Sequence, residues 1–245
     1  EGNDKVPSSA VFHFPGGLSD YLGERLEGAQ TYAEKPFAGK VDFGERFGDG
    51  TVGSVEWAIN WTPQHDPFVS SYCNTIPTPE GGTHESGLRI ALLRALKDHA
   101  ERIGQSKRAG SITTDDVMAT CASMLSVFIR EPEFQGQTKD KLATLEAARI
   151  VDNAVRDHFD HWLTGHPAQA DRLLNFIIDR AEDRIRRRQE KEVGRKTAVR
   201  KLRLPGKLAD CSANQTQGSE LFIVEGYSAG GSAKQARNRA TQAVL

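Results

Sequence analysis

The sequence predicts an α+β fold, in which strand and helix patterns alternate irregularly along the chain. Residues 55–61 alternate between apolar and more polar side chains, and residues 122–129 are nearly all apolar or small. Between residues 147 and 185, apolar side chains recur at helical spacing. Because these patterns do not follow a regular strand–helix–strand repeat, they favour α+β over a doubly wound parallel sheet.

Three strands are predicted between residues 55 and 129. The alternation at 55–61 is typical of a half-buried strand. After a proline-containing turn at 62–67, residues 68–76 have a second strand pattern, so we expect the two to pair as a hairpin. The apolar run at 122–129 indicates a central strand that is covered on both faces. Residues 28–39 are predicted to be a loop.

Three helices are predicted from the spacing of apolar residues. Thr83 is the predicted N-cap of the first helix. His84, which follows it, is expected to make capping or loop hydrogen bonds rather than to bind a metal. The second helix keeps one apolar face over residues 147–162 and ends at the Gly-His-Pro sequence of residues 165–167. The third begins at the proline of that breaker, a residue favoured in the first helical position, and keeps its apolar stripe to Ile185.

The composition excludes several classes of protein. The chain has 245 residues, with 32 Lys and Arg against 33 Asp and Glu, which fits one large or two small globular domains. No run approaches about 18 consecutive apolar residues, and the N-terminus lacks the layout of a secretory signal, so we expect no membrane partner. The three cysteines show no Cys-x-x-Cys spacing, which argues against a zinc site or a disulfide framework and favours a cytoplasmic protein.

Basic charge is concentrated near the end of the third predicted helix. Residues 181–203 contain ten basic and four acidic side chains, a local charge of +6 in a chain whose total is −1. Such a run is typical of a solvated helix surface with ion pairs. Its excess of one sign, and its continuation past the helix breaker that we expect at Gly194, equally suit contact with a phosphate backbone. The sequence leaves both interpretations open.

Four separate motifs follow one another along the chain. The first three are Ser-Tyr-Cys-Asn-Thr at 71–75, Glu-Gly-Gly-Thr-His-Glu at 80–85 and Gln-Thr-Lys-Asp-Lys-Leu at 137–142. The fourth joins Leu-Pro-Gly-Lys-Leu-Ala-Asp-Cys at 204–211 to Val-Glu-Gly-Tyr-Ser-Ala-Gly-Gly-Ser-Ala-Lys at 224–234. Together they resemble the B subunits of bacterial type IIA DNA topoisomerases, and the resemblance covers nearly the whole chain.

Residues 130–136 and the strand at 55–61 look more similar to the B subunit of topoisomerase IV than to that of gyrase, the nearer alternative. The resemblance implies an internal fragment of an ATP-dependent isomerase that couples ATP binding to double-strand passage, decatenation and relaxation of DNA during chromosome segregation. The implied partners are DNA, the A subunit of topoisomerase IV in a heterotetramer, and the N-terminal ATPase domain of the same polypeptide. ATP and Mg²⁺ are the implied cofactors of the full-length enzyme, and the implied location is cytoplasmic and nucleoid-associated.

The resemblance also implies a domain organisation. Residues 1–9 are expected to be a disordered end, because they hold almost no apolar surface to bury. Residues 10–192 correspond to a transducer domain with a ribosomal-S5-domain-2-like fold and a long C-terminal helix, and residues 193–220 to a basic linker. Residues 221–245 correspond to the first strand and helix of a toprim α/β domain. Because one strand and one helix bury little surface, we expect the chain from Gly218 onward to be disordered or loosely packed.

The expected nucleotide contacts lie in the third motif. In the family, the lysine of the Gln-Thr-Lys loop reaches the terminal phosphate of ATP in the ATPase domain, so the resemblance assigns this role to Lys139, with Gln137 as its companion. If the family resemblance is left aside, the sequence around Lys139 indicates only an ordinary surface lysine. A loop lysine with Gly136 as a hinge suits the role, because a compact charge on a flexible stem stabilises a phosphate when two domains close.

The expected cleavage-site residue is Glu225, which ends a predicted buried strand beside a helix N-terminus. The resemblance assigns it as the catalytic glutamate that binds Mg²⁺ together with a later Asp-x-Asp pair. These 245 residues contain neither that pair nor the ATPase domain, so we expect this chain alone neither to hydrolyse ATP nor to cleave DNA. The expected DNA contacts are Arg195, Lys196, Arg200, Lys201, Lys207 and Ser228.

Tyr227 departs from the family pattern, which has Asp at this position. A phenol in place of a small anion removes a charge near DNA and metal and adds bulk. We therefore hypothesise that Tyr227 weakens DNA cleavage or drug response without changing the fold. Restoring Asp in the full-length context tests this, and unchanged cleavage and drug sensitivity would reject it.

One alternative belongs to a different functional class. A non-enzymatic nucleic-acid-binding module would use the basic segment 184–203 and would bind duplex DNA in a strongly salt-dependent way. It would show no coupling to a nucleotide, which distinguishes it from the topoisomerase interpretation.

Overall fold

The computed structural model describes residues 11, 13–43, 53–63, 66–200, 209–213, 217–225 and 227–245, with the backbone alone for 193–200 and 227–229. The chain separates into two compact units, Glu1–Asp183 and Arg184–Leu245. The predicted disordered end at 1–9 lies outside the described residues.

A mixed five-stranded sheet forms the centre of the first unit. Its strands are β1 (Phe37–Phe43), β2 (Gly53–Trp61), β3 (Phe68–Cys73), β4 (Ile76–Pro77) and β5 (Cys121–Phe128). They lie in the order β1-β2-β5-β3-β4, and every neighbouring pair is antiparallel except β3 and β5. The central position of β5 agrees with its nearly continuous apolar run, and the α+β class is confirmed.

The expected hairpin between residues 55–61 and 68–76 is wrong. β5 lies between β2 and β3, antiparallel to the first and parallel to the second. The hairpin in this region instead joins β3 to β4 through Asn74 and Thr75, whose φ angles of 49° and 68° are left-handed. Apolar alternation specifies which face of a strand is buried, but it does not specify the partner strand.

Helices cover both faces of this sheet. The helices are α1 (Leu18–Arg25), α2 (Thr83–Arg102), α3 (Ser106–Ala109), α4 (Thr114–Met118), α5 (Leu145–Gly165) and α6 (Pro167–Arg200). Leu22 of α1 and Leu26, the C-cap of that helix, cluster on one face with Ala58, Ala122 and Met124. A larger core on the other face joins the sheet to α2, α5 and the first half of α6.

Aromatic side chains fill the larger core. Trp57 and Trp61 are fully buried, as their alternating positions predict. The ring of Phe159 on α5 lies 4.8 Å from that of Phe37, 5.7 Å from Trp61 and 5.7 Å from Trp162, measured between centroids. This packing fixes α5 against the sheet and, through α5, the segment that precedes it.

Burial in β2 exceeds the half-buried pattern that its sequence predicts. Ala58 and Asn60 are buried as well, because α1 and the loop before β1 cover the more polar face. The side-chain amide of Asn60 donates to the carbonyl of Ala33 (3.1 Å) and its oxygen accepts from the Ala33 N–H (3.3 Å). A polar residue is tolerated here because both of its groups are paired.

Three element boundaries differ from the sequence prediction. β1 begins at Phe37, inside the predicted loop 28–39. Gly82 rather than Thr83 is the N-cap of α2. α6 continues through Gly194 to Arg200 instead of ending there, because one glycine costs a helix only about 1 kcal/mol.

The second unit contains a small strand–helix–strand arrangement. β8 (Glu220–Phe222) pairs in parallel with β9 (Gln242–Val244), and α7 (Tyr227–Ala236) connects them. Ala209 bridges β9 on its other side. The helix agrees with the prediction. The predicted buried strand is wrong, since all three residues of β8 are exposed. The described residues from Gly218 onward include defined elements, and the exposure of β8 fits the loose packing that was expected as the alternative to disorder.

Within the described part of the chain, no helix combines the length and the apolar character that crossing a membrane requires.

Candidate functional site

The third motif forms a short β-hairpin that projects from the first unit. Its strands are β6 (Phe134–Gln135) and β7 (Lys141–Leu142), and residues 136–140 connect them. Gly136 and Lys139 have φ angles of 74° and 60°, which reverse the chain within the connection. The side chains of Gln137 and Lys139 are exposed, and the Lys139 ammonium lies 5.9 Å from the centroid of the Phe134 ring.

The second motif holds the base of this hairpin by main-chain hydrogen bonds. The Glu80 N–H donates to the Asp140 carbonyl (3.0 Å), and the Leu142 N–H donates to the Gly81 carbonyl (3.0 Å). The hydroxyl of Thr83 donates to the Thr144 carbonyl (2.6 Å), beyond the second strand. The base of the hairpin is therefore anchored by three hydrogen bonds to residues 80–83.

Gly82 allows the two motifs to approach each other closely. Its φ is +144°, and a Cβ added to it would lie 2.4 Å from the Leu142 carbonyl oxygen and 2.7 Å from the Leu142 nitrogen. No side chain fits at that distance from a backbone, so this position requires glycine. The second glycine of the motif's Gly-Gly pair is thereby explained by the contact with β7.

A chain of polar side chains lies beneath this junction. The Thr78 hydroxyl oxygen lies 2.6 Å from the Ser71 hydroxyl oxygen and 3.1 Å from His84 Nε2. The Ser71 hydroxyl donates to Glu85 Oε1 at 2.6 Å. The predicted loop hydrogen bond of His84 is confirmed, and burial lowers the pKa of this histidine from 6.5 to about 4. His84 is therefore neutral near pH 7.

The first motif joins the same group through Ser71, and its turn is held to the end of β5. The Asn74 side chain donates to the Ile129 carbonyl (2.9 Å) and accepts from the Ile129 N–H (3.0 Å), which continues the pairing beyond the end of β5. The structure thus brings the third motif together with the first two, which precede it in the sequence by more than fifty residues. The sequence motifs omit Thr78 and include Glu85 without a role; the short spacing between the first two motifs was the available signal.

A cleft of about 400 Å³ opens beside the hairpin, and its lining carries charges of both signs. Glu85, Arg89 and Lys141 line it, with Arg89 and Glu85 separated by 4.0 Å. Neither the cleft nor the hairpin tip contains an activated nucleophile among the described residues. Among the described residues, the hairpin tip presents the ammonium of Lys139, a compact charge of the kind that suits an anion.

Glu225 lies in the second unit, exposed, between the end of β8 and the start of α7. This placement agrees with the predicted position beside a helix N-terminus. No group of three metal-ligating side chains occurs among the described residues. Because Mg²⁺ is held through several oxygen ligands, Glu225 with its described neighbours does not make up a magnesium site, and no reaction step through the metal follows from them.

The predicted DNA contacts are described only in part. Arg195, Lys196 and Arg200 lie on the C-terminal part of α6, and Ser228 and Tyr227 lie in the first turn of α7, all without described side chains. Lys201 and Lys207 lie outside the described residues. The basic segment is helical as far as Arg200 rather than a loop after Gly194, and its residues 186–188 are exposed.

The fold and the convergence of the motifs define a class of protein. The family model described as DNA gyrase B matches residues 17–193, so the chain belongs to the DNA gyrase B family. Among its relatives, the B subunit of DNA topoisomerase 4 from Caulobacter vibrioides is 58% identical over 247 residues, which cover 99% of this chain and 35% of the relative. The corresponding protein of Bartonella bacilliformis is 61% identical over 240 residues, which cover 98% and 34%.

The resemblance to type IIA topoisomerase B subunits, with topoisomerase IV before gyrase, is confirmed by these relatives. The chain spans about a third of their length, with 35% and 34% of each covered.

Two solved structures share the fold. The topoisomerase IV ATP-binding domain of Francisella tularensis, in complex with a small-molecule inhibitor, has a TM-score of 0.59 and 31% identity, covering 71% of this chain and 45% of that one. The 43K ATPase domain of Thermus thermophilus gyrase B, in complex with an aminocoumarin, has a TM-score of 0.63 and 28% identity, covering 73% and 46%.

Proposed function

We propose that this chain is the transducer part of a topoisomerase IV B subunit, in which Lys139 and Gln137 contact the terminal phosphate of ATP. The first unit then has the ribosomal-S5-domain-2-like fold of transducer domains. In the complete subunit it couples ATP binding to double-strand passage, and so to decatenation and relaxation of DNA.

The anchored hairpin with an exposed cation at its tip is the observation that carries this proposal. No salt bridge holds the Lys139 ammonium to a carboxylate of the described residues; its neighbour there is the Phe134 ring. Without a salt bridge to break, the Lys139 ammonium is available to an incoming phosphate. Because the base of the hairpin is anchored, phosphate binding costs less conformational entropy. The position therefore suits a sensor that engages nucleotide only when a second domain approaches.

The test is steady-state ATP hydrolysis by the complete subunit. Lys139→Ala should lower turnover by at least about tenfold, because it removes one charge-stabilising donor from the phosphate. Lys139→Arg should retain part of the activity. Lys141→Ala is the matched control, since it removes a lysine of the same hairpin whose side chain lines the cleft, and it should leave turnover within about twofold.

Unchanged hydrolysis in Lys139→Ala would contradict the nucleotide role. The 245-residue chain on its own should hydrolyse no ATP and cleave no DNA, and robust hydrolysis by it would contradict the division of labour proposed here.

The basic end of α6 supports a second role, in binding DNA. A helix with three consecutive exposed arginines at 186–188, followed by further basic residues, provides closely spaced charges for a phosphate backbone. In a salt titration of duplex affinity by the complete subunit, replacing the basic residues at 195, 196, 200, 201 and 207 by Ala should flatten the slope by about 0.9 for each phosphate that is no longer neutralised. A slope that does not change would contradict this role.

The second unit is proposed to begin a toprim domain, with Glu225 as one of several magnesium ligands at the cleavage site and the A subunit of topoisomerase IV as the partner that supplies the attacking tyrosine. Its parallel strand–helix–strand order supports this proposal. Glu225→Gln in the complete enzyme should abolish DNA cleavage and leave ATP hydrolysis unchanged. Tyr227→Asp in the same assay tests the hypothesis that Tyr227 weakens cleavage. A cytoplasmic, nucleoid-associated location accords with these roles.

A further inference from the structure

The polar side chains beneath the hairpin are buried, whereas the hairpin tip is exposed. His84, Thr78 and Ser71 are 0%, 1% and 4% exposed. At this depth water does not compete for their hydrogen bonds, so each bond is stronger and each broken bond is more costly than at the surface. None of these side chains lies on the exposed tip that carries Lys139.

The number of available protons fixes which side chain donates and which accepts in each hydrogen bond of the series. Ser71 has a single hydroxyl proton and two acceptors for it, the Thr78 carbonyl at 3.1 Å and the Glu85 carboxylate at 2.6 Å; the shorter contact, to the charged acceptor, takes the proton. The proton between Ser71 and Thr78 must then come from Thr78, which in turn accepts from Nε2–H of His84. The sequence of donors is therefore His84 to Thr78 to Ser71 to Glu85, and it ends on the only group of the four that can carry negative charge.

The opposite direction is unfavourable for two groups. With the proton on Nδ1, His84 would bury an N–H that has no partner, since Nδ1 makes no hydrogen bond with the described residues. Every hydroxyl proton would also reverse, which would leave the Glu85 oxygen facing the lone pairs of Ser71 at 2.6 Å. The neutral Nε2–H tautomer of His84 is thus specified by the carboxylate at the far end of the chain.

Glu85, the last member of the hydrogen-bonded series, contacts the segment that holds the hairpin. A Cβ added at Gly81 would lie 2.7 Å from Glu85 Oε2, so this carboxylate packs directly beneath the Gly81 backbone. The Gly81 carbonyl is the acceptor for Leu142 of β7. A continuous series of contacts therefore runs from β3, through Glu85 and Gly81, to the strand that follows Lys139.

We propose that His84, Thr78, Ser71 and Glu85 form a positioning element that fixes the hairpin in the orientation in which Lys139 meets its phosphate. The four residues act through the backbone of 80–82 and touch no nucleotide. This proposal rests on the proposed nucleotide role of Lys139. It extends the functional site from an exposed loop to a buried polar chain on the sheet.

The first arm of the test measures the position of the hairpin by hydrogen exchange in the complete subunit. Thr78→Val keeps the shape of the side chain and removes the link in the middle of the chain. It should speed exchange of the Leu142 and Glu80 amides by about tenfold or more, since breaking a buried hydrogen-bonded chain loosens what it supports. Thr78→Ser, which keeps the hydroxyl, should restore slow exchange.

Thr120→Val is the matched control for this arm. Thr120 is 5% exposed and its hydroxyl has no hydrogen-bond partner in the described part of the chain. Its replacement should leave the exchange of both amides within about twofold. Unchanged exchange in Thr78→Val, or an equal increase in Thr120→Val, would overturn the anchoring role.

The second arm is a double-mutant cycle on ATP hydrolysis by the complete subunit. Thr78→Val should lower turnover by about tenfold alone but by less than about twofold when Lys139→Ala is already present, because its effect passes through Lys139. An equal decrease in both backgrounds, or no decrease in either, would overturn the positioning role. If Lys139→Ala itself leaves turnover unchanged, the proposed function fails. The hydrogen-exchange measurement still decides whether the four polar residues anchor the hairpin.

Discussion

The two sequence motifs that carry Lys139 and Glu225 differ in how the structure supports them. The hairpin of Lys139 is anchored to a second motif and a buried polar chain, all within the first unit. Glu225 follows a three-residue strand in which Leu221 is 60% exposed, and Ile223 beside it is 77% exposed. A motif match gives the chemistry of a residue, whereas the structure tells whether its own surroundings hold that residue in place.

The largest expected difference between the two regions is in the packing of their aromatic residues. Phe159→Ala should destabilise the chain by about 3–5 kcal/mol, because it opens a cavity in the fully buried aromatic core. Phe222→Ala, at a residue that is 44% exposed in β8, should cost less than about 1 kcal/mol. Urea unfolding measures both, and similar losses would show that the two regions are equally well packed.

The second prediction concerns the contact between Gly82 and β7. Gly82→Ala should cost about 2–4 kcal/mol, because its Cβ would overlap the backbone of Leu142 and force the hairpin away. Gly104→Ala is the control, since Gly104 also has a positive φ, of 74°, but has nothing within 4 Å. It isolates the backbone strain, at about 1 kcal/mol. Equal losses would mean that the hairpin moves aside without cost.

The third prediction is a pH dependence that arises from His84. Its pKa is lowered to about 4 in the folded chain, against 6.5 when unfolded. Between these values the unfolded chain binds a proton that the folded chain does not, so the free energy of unfolding falls as the pH decreases from 6.5 towards 4. The full loss should reach about 3 kcal/mol.

His84→Gln separates this contribution from that of other groups. Glutamine can present an N–H near the position of Nε2 but does not titrate, so the variant should show a shallower loss of stability over the same pH range. Parallel slopes for the wild-type chain and the variant would show that His84 is not the group responsible.

The smallest expected effect on the free energy of unfolding is that of replacing the exposed Lys139. Lys139→Ala should change the free energy of unfolding by less than about 0.5 kcal/mol, because the side chain is exposed and both residues adopt the same positive φ with similar strain. Thermal or urea unfolding checks this. A large destabilisation would mean that Lys139 has a structural role, and a loss of ATP hydrolysis could then not be assigned to the phosphate contact.

The sequence predicts the secondary-structure elements and the fold class better than it predicts which strands pair. Apolar spacing identifies β5 as central and places the break between α5 and α6 at Pro167, because these features depend on local pattern. It assigns the wrong partner to β3, since pairing depends on residues more than fifty positions apart. The helix also passes through Gly194, where a local penalty is too small to end it.

The candidate site was predicted at its tip but not at its base. The family resemblance identifies Lys139 and Gln137, and the structure places both on an exposed hairpin. Ser71 and Thr78 were not identified as support, because a buried hydroxyl chain has no sequence signature of its own. Its members become recognisable only when β3 and the start of α2 are placed side by side.

Lysine modification in the presence of nucleotide tests the central claim most directly. In the complete protein, a non-hydrolysable ATP analogue should slow acylation of Lys139 several-fold and leave Lys97 on α2 unchanged, as read by mass spectrometry of the labelled peptides. Lys139 is protected in this account because its ammonium is held by the terminal phosphate. Equal modification of Lys139 with and without the analogue would contradict it.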